Sequence, residues 1–156
     1  MVKKEKDPSI SLNIRKTLSF IHENVGGFIR LKEVAQGVQL HPDYLSRKFK
    51  REIEISFHEY VLHYRIFISL VLLIRTTKKI KEIYQEIGFS QPEIFSRNFK
   101  RIVGCSPRAF RMRDPSFQRE FLKSGFPEIQ KVFSKTAQGF HQASLEGEND
   151  FPQDWF

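Results

Sequence analysis

Two short stretches of this sequence carry the same order of side chains that can contact a polyanion. Each has an acidic residue, a serine, an arginine and a lysine at spacing i, i+3, i+4 and i+7, which places them on one face of a helix. The two sets are Asp43, Ser46, Arg47 and Lys50, and, fifty residues later, Glu93, Ser96, Arg97 and Lys100. Arginine can donate two hydrogen bonds to guanine O6 and N7 in the DNA major groove, and serine can contact bases or phosphates.

The chemistry of these side chains divides them into two groups of candidate DNA contacts. The candidates for base contact are Asp43, Ser46, Arg47, Glu93, Ser96 and Arg97. The candidates for phosphate contact, which adds affinity but little sequence information, are Lys50, Arg51, Lys100 and Arg101. The two carboxylates fall in a first helical turn, where they complement the helix dipole or, alternatively, accept a hydrogen bond from cytosine N4. The competing interpretation is that both faces are solvated surface that duplication has preserved.

The repeat extends beyond these faces and describes the elements that must position them. Residues 41–51 match residues 91–101, whereas the upstream residues 31–36 match 80–85 at an offset of 49, so the second copy has one more residue in its turn. Pro42 and Pro92 both suit the first position of a helix, where the missing N–H costs nothing. Each copy therefore predicts a short helix, a tight turn and a second helix, which is a helix-turn-helix arrangement.

Apolar spacing of three and four residues predicts helices along the chain. The predicted ranges are about 10–24, 31–38, 42–53, 57–75, 79–87, 92–103 and 107–113. Strand-like alternation and hairpin signals are absent, so the expected fold class is all-α. The most apolar run, 66–74, has nine residues between two arginines and is too short to cross a bilayer. It predicts a buried core helix.

Length and charge indicate one DNA-binding domain with a C-terminal tail. The 156 residues carry a net charge of +8, and the chain has an isoelectric point near 9.7, which favours a polyanionic partner. Residues 1–118 have 22 cationic against 12 acidic side chains, whereas 119–156 have four against six. We therefore expect a charged N-terminal extension over 1–8, the domain over 9–114, and a tail over 115–156. Three interpretations of the tail's scattered phenylalanines stay open: they dock onto the domain, they form a partner surface, or they lie in a poorly ordered segment. These phenylalanines include Phe121, Phe126, Phe133 and Phe140.

The sequence offers little for catalysis or metal binding. The single cysteine, Cys105, rules out an intramolecular disulfide framework and makes a cysteine-ligated zinc site implausible. It follows a glycine and precedes Ser-Pro, which favours a buried or half-buried turn residue over a nucleophile. The histidines lack metal-ligand spacing, and no phosphate-binding glycine loop occurs. We expect no enzyme activity, cofactor or metal, and, since the N-terminus lacks the apolar core of a signal peptide, a cytoplasmic location.

The stretch from about Leu12 to Arg113 resembles the DNA-binding domain of the AraC/XylS family of bacterial transcription regulators. The resemblance covers about two thirds of the chain and is strongest over the second copy. The matching segments are 31–35, 44–50, 56–60, 64–65 with 72–73, 80–83, 88–89 and 95–111.

This resemblance implies a seven-helix unit in which two helix-turn-helix subdomains, about 31–53 and 79–103, are joined by a central helix, 57–75. Helices 42–53 and 92–103 would enter adjacent major-groove faces about 34 Å apart. Stand-alone family members bind double-stranded DNA as monomers and activate transcription by touching RNA polymerase. The resemblance therefore implies a monomeric activator, associated with the nucleoid, that does not bind membranes.

Four positions depart from the family pattern. Glu54 and Gln39 replace glycines of the first copy, Tyr84 replaces a small alanine in the second, and Ser69 replaces an alanine of the central helix. If one helix-turn-helix has lapsed, Gln39 and Glu54 point to the first. Two alternatives to DNA binding stay open. One is a degenerate or partner-binding regulator fragment that contacts RNA polymerase or another regulator. The other, weaker alternative is a basic peripheral membrane protein.

Overall fold

The computed structural model describes residues 10–124, and within this range the chain forms eight α-helices and no strand. The helices are α1 Leu12–Glu23, α2 Leu31–Gly37, α3 Pro42–Ile53, α4 Phe57–Arg75, α5 Ile80–Glu86, α6 Pro92–Val103, α7 Pro107–Arg111 and α8 Pro115–Ser124. The all-α fold and all seven predicted helices are confirmed, with bounds that differ by at most two residues at either end.

Local sequence explains why the helices begin where they do. Pro42 and Pro92 occupy the first turns of α3 and α6, as expected from their fixed φ. His41 is the N-cap of α3, as its place before Pro42 predicts, and its Nδ1 accepts a hydrogen bond from the Asp43 backbone N–H at 3.3 Å. At α4, Ser56 and Glu59 form a capping box, in which each side chain accepts from the other residue's backbone N–H.

Two hydrophobic cores lie along α4, and Ile68 of this helix packs against both. The first core takes its buried residues from Ile10 to Tyr64, and the second takes them from Ile66 to Phe110. We call α1–α3 with the first half of α4 the first unit, and the second half of α4 with α5–α8 the second unit. Each unit contains one helix-turn-helix, α2–α3 or α5–α6.

The central helix is the element that both units share. α4 is 19 residues long and apolar enough, by length and composition, to cross a membrane, but the surrounding helices bury nine of its residues. One of these is Ser69, whose hydroxyl donates to the Ile66 carbonyl at 2.6 Å, so that this buried donor is satisfied. The apolar run 66–74 lies within this core helix, as its length predicts.

Residues 115–124 form a helix that packs onto the second unit. Phe121 contacts the edge of Phe110 with ring centroids 5.7 Å apart. Gln118 is buried, and its amide donates to the carbonyls of Phe110 at 2.9 Å and Arg111 at 3.0 Å. Phe121 therefore docks onto the domain. Phe126, Phe133, Phe140 and the N-terminal extension 1–8 lie outside the described residues.

The two helix-turn-helix turns place left-handed residues at equivalent positions, although the second turn is one residue longer. Gln39 and Gly88 occupy equivalent positions with φ of 57° and 84°, and Glu54 and Gly104 do so after the second helices with φ of 75° and 88°. Left-handed backbone costs a residue with a Cβ on the order of 1 kcal/mol, whereas glycine adopts it freely. Gln39 and Glu54 of the first unit therefore carry a backbone strain that the glycines of the second unit avoid.

Candidate nucleic-acid interface

α6 presents the predicted contact residues on one exposed face. Its opposite side is anchored because Phe95, Phe99 and Val103 are buried in the second core. The exposed residues are Glu93, Ser96, Arg97, Lys100 and Arg101. Together with Ser106, the N-cap of α7, the last four line a shallow open depression. The structure thus brings all five predicted residues of the second copy together on a face that a nucleic acid can reach.

α3 presents a similar face that differs from that of α6 at two positions. Asp43, Arg47, Lys50 and Arg51 are exposed, but Ser46 is half-buried, unlike its counterpart Ser96. Tyr44 is exposed on this helix instead, and 45% of its surface is accessible to solvent.

Tyr44 is a candidate contact that the sequence pattern missed. Its counterpart, Ile94, is half-buried, so a period-based analysis assigns both positions to the packed side of the helix. An aromatic ring at the edge of a recognition face can contact a thymine methyl group or a sugar. The available signal was the tyrosine itself, which rarely buries its hydroxyl without a partner.

A polar network fixes the back of α3 to α1. Glu52 accepts hydrogen bonds from the Ser11 backbone N–H at 2.9 Å and the Ser11 hydroxyl at 3.1 Å, and it pairs with Lys48 at 3.0 Å. Burial raises the pKa of Glu52, but the Ser11 hydrogen bonds and Lys48 more than offset this, so the net pKa lies below its usual value. Lys48 and Glu52 are thus structural, and they orient α3 while its other face stays free.

The back of α6 is held differently. Asn98 and Ile102 stand where α3 has Lys48 and Glu52. Asn98 donates to the Ile94 carbonyl at 2.9 Å and accepts from Arg101 at 3.1 Å, and Ile102 packs against the second core. Within the part of the chain that the structure describes, no Lys or Arg side chain of α6 forms an ion pair with a carboxylate.

The two interfaces differ in charge. Residues 42–59 contain four Lys or Arg and four Asp or Glu, which cancel with histidine neutral. The equivalent residues 92–109 contain four Lys or Arg and one Glu, a net of +3. Since phosphate contacts dominate the affinity of proteins for DNA, the second interface is the stronger electrostatic site.

The remaining departures are accommodated by the fold. Tyr84 is 7% exposed, and its ring lies tilted against Phe95 with centroids 6.2 Å apart. Its counterpart Ala35 is fully buried in the first core. Cys105 is half-buried in the turn after α6 and packs against the second core, as expected for a turn residue.

Residues 10–124 also contain the potential metal ligands His, Cys, Asp and Glu. No group of three or more His, Cys, Asp or Glu side chains there is arranged to hold a metal ion. His22 is instead part of an aromatic cluster, in which its Nε2 lies 2.6 Å from the Tyr60 hydroxyl and its ring stacks on Tyr64 at 4.3 Å. Burial lowers the pKa of His22 to about 4.

Comparison with known proteins gives consistent matches over this region. A family model described as a helix-turn-helix domain matches residues 34–113, just over half of the chain. The Msm operon regulatory protein of Streptococcus mutans is 32% identical over 107 residues, which are 69% of this chain and 38% of that protein. The lactose operon transcription activator of Staphylococcus xylosus is 28% identical over 102 residues, 65% of this chain and 37% of that protein. The chain thus spans well under half of these curated relatives.

A solved structure also superposes on the domain. The C-terminal domain of AraT, a response regulator from Geobacillus stearothermophilus, is similar with a TM-score of 0.63 and 31% sequence identity. The match covers 65% of this chain and 84% of that domain.

Proposed function

This chain belongs to the AraC/XylS family of DNA-binding transcription regulators, and we propose that it binds a specific DNA sequence by inserting α3 and α6 into adjacent major-groove faces. The observation that carries the proposal is the exposed α6 face, where Ser96, Arg97 and Lys100 share one side of a helix whose other side is core. A helix anchored in this way can enter a groove without losing its packing.

The residues take two roles in this proposal. The base contacts are assigned to Asp43, Ser46, Arg47, Glu93, Ser96 and Arg97, and the phosphate contacts to Lys50, Arg51, Lys100 and Arg101. The charge difference between the units suggests that α6 supplies most of the affinity, and α3 then extends the site to a second half. The exposed Tyr44 adds an apolar contact to the first half.

Activation of transcription is the proposed outcome of binding. One relative is named as an operon's transcription activator, which supports this direction for the present chain. We propose that a monomer contacts RNA polymerase while bound to an asymmetric site, in the cytoplasm and on the nucleoid.

The first experiment is selection of bound duplexes from a random pool of about 25 base pairs, at near-physiological salt. We expect an asymmetric two-part motif whose centres lie about 10–10.5 base pairs apart. A single half-motif would show that only one helix-turn-helix reads sequence. If the folded protein enriches nothing, the sequence-specific function is wrong.

Two variants on α6 separate base reading from phosphate contact. Arg97→Ala should cost about 1–3 kcal/mol on the selected site and relax specificity at one base pair. Lys100→Ala, the matched control, should weaken binding to all sequences alike and flatten the salt slope by about 1. Equal losses on selected and random duplexes for both variants would remove Arg97 from the base-reading set.

A second candidate function is contact with a protein partner alone. It is favoured by two exposed apolar side chains near the corner between α7 and α8, Met112 at 81% and Phe117 at 45%. In that case Arg47→Ala and Arg97→Ala would leave transcriptional activity nearly unchanged, whereas removal of the chain after Asp114 would abolish it.

A further inference from the structure

One arginine lies at the point where the two hydrophobic cores separate. Tyr64 is the last buried residue of the first core, and Ile66 is the first buried residue of the second. Arg65 stands between them on α4 and is half-buried. Its side chain leaves the helix toward the space between the two units.

The Arg65 guanidinium contacts both units at once. Its Nε donates to the Val25 carbonyl at 3.1 Å, and Nη2 donates to the Gly27 carbonyl at 2.7 Å, both in the loop that follows α1. The guanidinium also lies over the ring of Phe89, 5.9 Å from its centroid, in the turn before α6. Arginine suits this position because its planar fork can donate to two acceptors while a face stacks on an aromatic ring.

The backbones around Arg65 approach so closely that side chains would not fit. A Cβ on Gly26 would lie 2.4 Å from the Glu86 carbonyl oxygen, across the boundary between the units. A Cβ on Gly88 would lie 2.8 Å from Arg65 Nη2 and 3.0 Å from the Val25 oxygen. We call Arg65, the loop 25–27 and the turn 86–89 the inter-unit junction.

The junction gives the domain a second connection besides α4. A single helix shared by two cores fixes their separation but resists bending and twisting only through its own stiffness. A contact to the side of that helix, which ties a loop of the first unit to a turn of the second, limits both motions. The turn in question leads directly into α6, so its position bears on the angle between α6 and α3.

We infer that Arg65 is a positioning residue that sets the relative orientation of α3 and α6 and thereby the half-site spacing that the protein accepts. The inference rests on the proposed two-helix DNA binding. Arg65 contacts no base or phosphate in this scheme, and its effect passes through the junction. Because its side chain lies outside both cores, replacing it should leave each unit folded.

The first test measures binding to a ladder of duplexes built from the selected site, with base pairs added or removed between the half-sites. Wild type should lose about tenfold in affinity per inserted base pair, comparable to a mismatched pair. Arg65→Met should reduce this loss to less than about threefold while the base preference within each half-site stays unchanged. Lys16→Met, which removes an exposed charge from α1, is the matched control and should keep the wild-type spacing profile.

The second test needs no DNA. Spin labels on Lys32→Cys and Lys81→Cys, exposed and equivalent positions of α2 and α5, report the distance between the units in a Cys105→Ala background. The distance distribution should be narrow with Arg65 present and broader in Arg65→Met. Gly26→Ala, which pushes the loop 25–27 away from the turn 86–89, should also broaden the distance distribution. Arg65→Lys should give a width between those of wild type and Arg65→Met, because lysine keeps the charge but lacks the planar guanidinium that donates to two acceptors.

An unchanged distance distribution and an unchanged spacing profile in Arg65→Met would overturn the inference. Failure of wild type to select a two-part motif would instead refute the proposed function. The distance measurement would then still decide whether the junction orients the units.

Discussion

The two helix-turn-helix units have the same order of helices but differ in backbone strain and in charge. The first places Gln39 and Glu54 at left-handed positions that glycines fill in the second. Residues 42–59 of the first unit have no net charge, whereas the equivalent residues 92–109 of the second unit carry a net charge of +3. In the first unit, hydrogen bonds between Ser11 and Glu52 tie α3 to α1, whereas in the second unit Ile102 packs against the core. Tertiary contacts can thus preserve a recognition fold after its local sequence has departed from the pattern.

The largest expected difference concerns the core position where the first unit has Ala35 and the second Tyr84. Because the Tyr84 ring is buried against Phe95, Tyr84→Ala should leave a cavity and lower the free energy of unfolding by about 2–4 kcal/mol. Urea denaturation followed by circular dichroism measures this. Tyr84→Phe is the control and should cost less than about 1 kcal/mol. Stability that holds or rises in Tyr84→Ala would show that the ring overpacks the second unit.

Acid should weaken the first unit selectively, because residues 66–124 contain no histidine. Burial lowers the pKa of His22 from 6.5 to about 4, so between these values the unfolded chain binds a proton that the folded chain does not. Stability therefore falls as pH drops through this window, by about 2 kcal/mol between pH 7 and pH 5. The depressed pKa of Glu52 adds a loss only below its ordinary value of 4.5.

Hydrogen exchange measured at pH 7 and pH 5, and corrected for intrinsic rates, shows which helices lose stability in acid. Amides of α1–α3 should lose protection, and those of α6 should change less. His22→Gln should flatten the pH dependence of unfolding between pH 5 and pH 7. An equally steep dependence in that variant would assign the proton uptake to another group.

DNA binding should depend more on α6 than on α3. Arg97→Ala should cost at least about 1 kcal/mol more than Arg47→Ala on the selected site, since the segment around Arg47 carries no net charge. Fluorescence anisotropy with matched selected and random duplexes measures both. Equal costs would mean that α3 contributes its full share despite the acidic residues nearby.

The smallest expected effects come from the two left-handed helix ends. Glu54→Gly should raise the free energy of unfolding by about 0.5–1 kcal/mol by relieving φ of 75°. Gly104→Ala should lower it by about 1 kcal/mol through φ alone, because an added Cβ meets no atom within 4 Å. Thermal unfolding of the pair checks the signs. A loss of stability in Glu54→Gly would show that the glutamate side chain makes contacts worth more than the strain.

Much of the fold could be read from local patterns. Prolines at the first helical position and apolar spacing gave helix bounds within two residues at either end, since these signals act over one or two turns. The repeat also predicted which faces of α3 and α6 stay exposed. It did not predict that Ser46 is half-buried and Tyr44 exposed, because the burial of each side chain depends on its neighbours in the fold.

The sequence by itself determined the helices, the duplication and the candidate contacts on each recognition helix, because periodicity and turn chemistry are local properties. Only the tertiary structure decided the division of α4 between two cores, the docking of α8 through Phe121 and the contacts of Arg65. Each of these joins residues far apart in the chain, such as Arg65 with Val25 and Phe89. Contacts of that kind depend on how finished helices pack, which no short-range pattern in the sequence records.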